Sequence, residues 1–321
     1  MIMKKILLSA SLCCAMILGA NAQVFIENFE NATVGSDLEG YNEWYVSKKT
    51  GDNYGESPKI AAGALSYLNY PSSGIGNLAV LNPVIGDDNT TQRISTKLVT
   101  LGEEPLSVVP GEKLYVAFLA KFSIDSKKAL RDFFTLEGSS TSSMTRGRLF
   151  VRTSGDGLIN FGISKNTGTA SQIVESGEKL DINATYLLVL VYEGVEGDNN
   201  DKVRVYINPD LSKSEAEQTS LLEATDSASD YSAEAKLGIN LRQRAVGVSI
   251  GGIRVAKSWD SALVEGPNSI IDNSADKGNI VSSRYFDLRG VEVNEPVNTN
   301  SVYVKKDIYE NGSVEVTKVI R

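Results

Sequence analysis

The 321 residues include no histidine. Nucleophile pairs that depend on imidazole, and His-rich catalytic zinc sites, are therefore excluded. The remaining chemistry rests on side-chain oxygens and aromatic rings. Asp198, Asn199, Asn200 and Asp201 are consecutive. Their oxygens could ligate calcium, the one cofactor the chain suggests. Asp and Asn also favour tight turns for backbone reasons, so a simple hairpin turn is the other reading, both here and at Gly86-Asp-Asp-Asn-Thr-Thr91. Aromatic residues crowd the first third of the chain: Tyr41, Trp44, Tyr45, Tyr54, Tyr67 and Tyr70. A ring can stack on the apolar side of a pyranose while neighbouring amides bind its hydroxyls. Trp44 with Tyr54 or Tyr70 is the pairing expected to form such a ligand-binding platform. Core packing with the polar tip at the surface is the competing use of the same side chains.

The first residues are set apart in character. Lys4 and Lys5 precede an apolar run from Ile6 to Leu18, and Ala20-Asn21-Ala22 offers a small-x-small pattern. This predicts a signal peptide over residues 1–22, cut between Ala22 and Gln23. No other segment approaches the roughly 18 continuous apolar residues of a membrane span. Both cysteines, Cys13 and Cys14, lie in the run, and neither follows the small residue of a lipid-attachment site. Release as a soluble exported protein is expected, to the exterior or outer cell surface, with the periplasm as the other exported compartment. The mature chain would have no thiol and form no disulfide, so packing alone must stabilise it. Its formal charge would move from −8 to −10, because 32 − 2 = 30 basic residues face 40 acidic ones. Such a surface disfavours nucleic acid and anionic membrane as partners.

Between residues 23 and 264 the pattern is short strands separated by polar turns. Leu114, Val116 and Phe118 alternate onto one face, as do Val203, Val205 and Ile207. Ser154-Gly-Asp-Gly157 joins two strand-like runs in the manner of a hairpin. Tyr186 to Tyr192 is continuously apolar, which predicts a central strand covered on both faces. Val246 to Val255 reads as a strand pair or one bent strand, and Trp259 as an anchor at its end. Helix signals are few, with one or two turns expected at Lys127–Asp132 and Leu211–Ala224. Roughly a dozen strands in this space predict an all-β, two-sheet antiparallel sandwich. Residues 265–279 read as a polar linker. Residues 280–321 read as a small β tail of three strands, marginal for independent folding.

Six segments in order resemble a module of secreted proteins of Bacteroidetes. They are Phe25-Ile-Glu-Asn-Phe29, Gly74-Ile-Gly-Asn77, Asn160 to Lys165, Thr185 to Leu190, Val205 to Asp210 and Gly252 to Trp259. The module is similar to the concanavalin-A-like, laminin-G-type jelly roll. The resemblance implies two antiparallel sheets but little about activity, because that fold hosts lectins, adhesive domains, hydrolases and spacers. Its hydrolases place Glu-x-Asp-x-Glu or Glu-x-Asp-x-x-Glu on one strand, so that all carboxylates share a cleft face. No such string occurs here. The tail, from Arg284 to Val293 with Val302-Tyr-Val-Lys305 and Lys318-Val-Ile-Arg321, resembles C-terminal sorting tails of the type IX secretion system. Ser301 replaces the usual Gly before the Val-Tyr-Val strand. The expectation is a secreted, non-enzymatic module binding glycan or another surface ligand. A structural or adhesive protein without a small-molecule site, and a carboxylate-based glycoside hydrolase, are the alternatives.

Overall fold

Two strands apolar at almost every position form the middle of the molecule. Lys113–Ser123 and Thr185–Glu193 pair in register from Thr185 opposite Lys121 to Glu193 opposite Lys113. Side chains alternate across a strand, so each strand serves two apolar layers. Leu114, Val116, Phe118, Tyr186, Leu188, Leu190 and Tyr192 enter the main core. Tyr115, Ala117, Leu119, Leu187, Val189 and Val191 enter a second cluster on the opposite side. The continuous apolar run of residues 186–192 thus does what its sequence predicts. Each such fully buried aliphatic side chain contributes roughly 1.5–3 kcal/mol.

A computed structural model describes residues 24–50, 56–84, 92–101, 104–123, 127–138, 144–166, 169–219, 221–231, 236–264, 279–287, 292–293, 302–309 and 314–320. The proposed signal peptide and its cleavage point at Ala22 and Gln23, Gly86–Thr91, and most of the polar stretch 265–279 lie outside these residues. The chain divides into two compact units, residues 1–267 and 268–321.

The first unit is a sandwich of two antiparallel sheets. The first sheet runs in the order Leu221–Glu223, Lys202–Ile207, Thr185–Glu193, Lys113–Ser123, Gly247–Ala256, Leu78–Leu81 and Lys59–Ala61. Phe25–Glu27 also pairs with Gly247–Ala256, Phe25 lying opposite Val255. The second sheet runs Val174–Glu175, Leu158–Ser164, Met144–Thr153, Arg131–Gly138, Leu237–Gln243, Gln92–Leu98 and Tyr45–Thr50, with Leu180–Asp181 against Leu158–Ser164. Between the sheets lies an aromatic cluster. Phe118 stacks on Phe134 at 4.3 Å, and Phe122 meets Phe133 and Phe161 edge-on.

The 247–256 segment is one bent strand, its register shifting between Gly251 and Arg254. Gly252 carries the bend with φ +59°, and a Cβ there would come within 3.0 Å of Ser72. One helix expectation needs correcting. Lys127–Asp132 leads directly into the strand Arg131–Gly138 instead of forming a helical turn. Leu211–Ala224 does form a single turn, the 3-10 turn Glu215–Glu217, closed by a reciprocal Ser214–Glu217 capping box and followed by a short strand. Neither segment has an apolar stripe to pack, so strand pairing prevails. A short helix forms instead at Trp259–Leu263, capped by Ser258.

The second unit is one antiparallel sheet, ordered Glu292–Val293, Ile280–Phe286, Val302–Tyr309 and Val314–Ile320. Ser283 donates to the Asp307 carboxylate from the paired strand, and Lys305 donates to it from the same strand. It therefore has one short strand beyond the three expected from the pattern.

Candidate functional site

The aromatic residues expected to bind ligand do not sit together. Trp44 is 1% exposed and packs on Phe29 within the main core, their ring centres 6.2 Å apart. Tyr70 is buried in the second cluster, where its hydroxyl donates to the Gly252 carbonyl at 2.7 Å. A stacking platform needs an exposed ring face, and these two rings present none. Tyr54 lies outside the described residues. Trp259 is an anchor, but on the outward side of the first sheet, edge-on to Tyr115 and Tyr206.

Asp198–Asp201 form a turn whose polar groups are largely engaged within the chain. Asn199 adopts φ +60°. Asp201 accepts from the Val195 amide at 2.8 Å and from the Tyr192 hydroxyl. Asn200 donates from its side chain to the Glu196 carbonyl, and the amides of Asn200 and Asp201 both bond Asp230. Asp230 in turn pairs with the buried Lys165 amine. The Asp201 oxygens thus close the turn on Val195 and Tyr192, and its amides tie it to Asp230. Among the described residues, no group of three or more Asp or Glu side chains could hold a metal.

A different set of residues converges on the outward face of the second sheet. In the strand Leu237–Gln243, Leu237, Ile239 and Leu241 enter the core, so Asn240 and Arg242 point the other way. Register places Asn240 between Thr96 on one neighbouring strand and Thr135 on the other, with Tyr45 opposite Thr96 on the edge strand. Directly opposed residues share a face, so Tyr45, Thr96, Asn240 and Thr135 form one transverse row. Thr96 donates to the Asn240 side-chain oxygen at 2.6 Å, and Glu137 approaches the same hydroxyl at 3.4 Å. The Asn240 side-chain nitrogen and the Thr135 hydroxyl are buried without a hydrogen-bond partner among the described residues. Tyr45 is 40% exposed. Partial burial, then the Glu137 charge, raises its phenol above the ordinary range.

Beside the row lies a charge cluster. Asp132 accepts from Arg148 at 2.8 Å, from Arg244 at 2.7 Å and from Arg242. Burial alone would raise the Asp132 carboxyl, but Arg242, Arg148 and Arg244 hold it far below the usual carboxylate range. Desolvation lowers Arg242 despite Asp132, and the charges of Arg244 and Arg148 lower it further. Arg148 also lies over the Phe150 ring, 5.2 Å from its centre. Asp132 is thus committed as a fixed anion and unsuited to donate a proton. The sequence did carry one signal for this cluster, since cations at alternate positions such as Arg242 and Arg244 are out of place in a sandwich strand unless paired.

No protein-family model and no curated protein matches the chain. Several solved structures are similar at low identity. A Shewanella oneidensis protein of unknown function is 15% identical, with 76% of this chain and 90% of that one covered at a TM-score of 0.33. The alginate lyase AlyA1 of Zobellia galactanivorans is 13% identical, covering 66% and 94% at 0.36. A heptameric SAP-like pentraxin of Limulus polyphemus is 14% identical, covering 70% and 94% at 0.32. These neighbours have lectin-type jelly-roll folds. At this identity the likeness concerns the fold and transfers neither activity nor ligand. Among the described residues, no helix is long and apolar enough to cross a membrane.

Proposed function

We propose that this chain is an exported, non-enzymatic module that binds a glycan along the outward face of its second sheet. The reading rests on Tyr45, the half-exposed ring at the rim of the row whose Thr96, Asn240 and Thr135 side chains are themselves buried. A sugar offers an apolar ring face that can stack on Tyr45. Asp132, paired with three guanidiniums, is a poor candidate for the acid of a carboxylate-based hydrolase. A two-carboxylate mechanism needs one acid that keeps its proton near neutral pH.

A glycan microarray probed with the secreted protein tests this. The wild type is expected to retain specific glycans, and Tyr45→Ala to weaken them about tenfold, the worth of one good ring contact. No retained glycan, or full retention by Tyr45→Ala, would overturn the assignment. The structural or adhesive alternative predicts the first of those two results.

A further inference from the structure

We infer that the glycan is uncharged, and that Glu137 selects it by accepting hydrogen bonds from its hydroxyls and repelling uronate or sulfate groups. The inference rests on the proposed binding at Tyr45 and goes further by naming the class of ligand. Access decides which groups a ligand can touch. Thr96, Thr135 and Asn240 are fully buried, whereas Tyr45 is 40% exposed, Leu98 is 43% exposed and Glu137 is half-buried. Register places Leu98, Gly238 and Glu137 in a second transverse row, two residues along each strand from Thr96, Asn240 and Thr135. Both rows lie on the outward face. The reachable surface is therefore an aromatic ring, an aliphatic side chain and a carboxylate.

The glycine at position 238 lets the carboxylate reach this surface. Glu137 belongs to Arg131–Gly138 and Thr96 to Gln92–Leu98, with Leu237–Gln243 between them. Gly238 has no side chain to block the crossing. The Glu137 side chain passes over the middle strand, and its Oε2 stops 3.4 Å from the Thr96 hydroxyl. That brings its charge near Tyr45, which lies opposite Thr96 on the edge strand, and the phenol is raised partly for this reason. A hydroxyl has one proton to give, and Thr96 gives it to the Asn240 oxygen at the shorter distance of 2.6 Å. The Glu137 carboxylate therefore keeps its capacity to accept, and a sugar stacked on Tyr45 and Leu98 supplies donors. Such charge-assisted hydrogen bonds are about twice as strong as neutral ones. A uronate or sulfate in the same place sets like charges at close range, which selects against it. The formal charge of −8 on the chain acts in the same direction.

The test uses the intact secreted protein and measures affinity for two matched pairs of polymers: polygalacturonate with its carboxyl-reduced form, and dextran sulfate with dextran. In any pair that binds, the neutral member should bind about tenfold or more tightly than the charged one. On the microarray the same preference should appear as retained glycans without carboxylate or sulfate. Glu137→Gln, which keeps an acceptor and removes the charge, should close the gap by raising affinity for the charged member. The comparison within each pair needs only wild-type protein, so misfolding of the variant leaves the inference falsifiable. Equal affinity within a pair, preference for the charged member, or array signals from anionic glycans only would overturn the uncharged ligand and leave the glycan-binding face standing. A gap unchanged in folded Glu137→Gln would overturn the role of Glu137. No binding to any polymer or array glycan would overturn both this inference and the reading beneath it.

Discussion

The sandwich has two outward faces built on the same pleat, and they are used in opposite ways. On the first sheet, Ala117, Leu119, Leu187, Val189 and Val191 face outward and are sealed by Leu65, Tyr70 and the Trp259–Leu263 helix. On the second sheet, the outward positions hold Thr96, Thr135, Asn240, Arg148 and Arg242, with Asp132 as their anion. Both faces lie largely buried. Burial is therefore not what separates them; the difference is whether the buried atoms are apolar or charged. One core between two sheets needs only one face of each, so the other faces are free to diverge. The first is an apolar layer and the second a layer of hydrogen-bonded and ion-paired polar groups.

The sharpest way to break this contrast is to unbalance the charged face. Asp132→Ala removes the anion that three guanidiniums share, and denaturant unfolding should show a loss of about 3–5 kcal/mol. On the sealed face, Trp259→Ala should cost about 3 kcal/mol by cavity formation while leaving glycan retention unchanged. Acid titration separates the two faces further. The folded carboxyl of Asp132 lies far below its unfolded value. Its stabilising contribution is thus complete above about pH 4, the ordinary aspartate value, and is lost as pH falls toward the depressed value. Melting temperatures measured from pH 6 downward should fall in the wild type, and less steeply in Asp132→Asn. The smallest effect is expected at Thr135→Val. Because that hydroxyl is buried and has no partner among the described residues, removing it should be neutral or stabilise by up to about 1 kcal/mol in denaturant unfolding.

The β architecture was legible because alternation is strong where strands have one wet face, and absent where both faces are dry, as at residues 186–192. The polar row on the second sheet was not legible, because its members come from positions 45, 96, 135 and 240, and only register brings them together. No local motif could encode that row. Aromatic crowding misled for a related reason. Trp44 and Tyr45 are neighbours in sequence, and alternation sends one into the core and leaves the other half exposed. Composition could not say which. The Asp198–Asp201 oxygens were ambiguous in the same way, since a turn and an ion site draw on the same side chains.

The pairing of Phe25–Glu27 with Ile253–Val255 bears on the order in which the chain can mature. Its partners are more than 220 positions apart, so the first sheet cannot be completed until nearly all of that unit has been synthesised. The Trp259–Leu263 helix, which covers the outward apolar layer, emerges later still. A nascent chain ending before these segments would leave Leu187, Val189 and Val191 bare to water. Such a late-closing topology folds slowly and leaves the polypeptide open until its last strands and helix arrive.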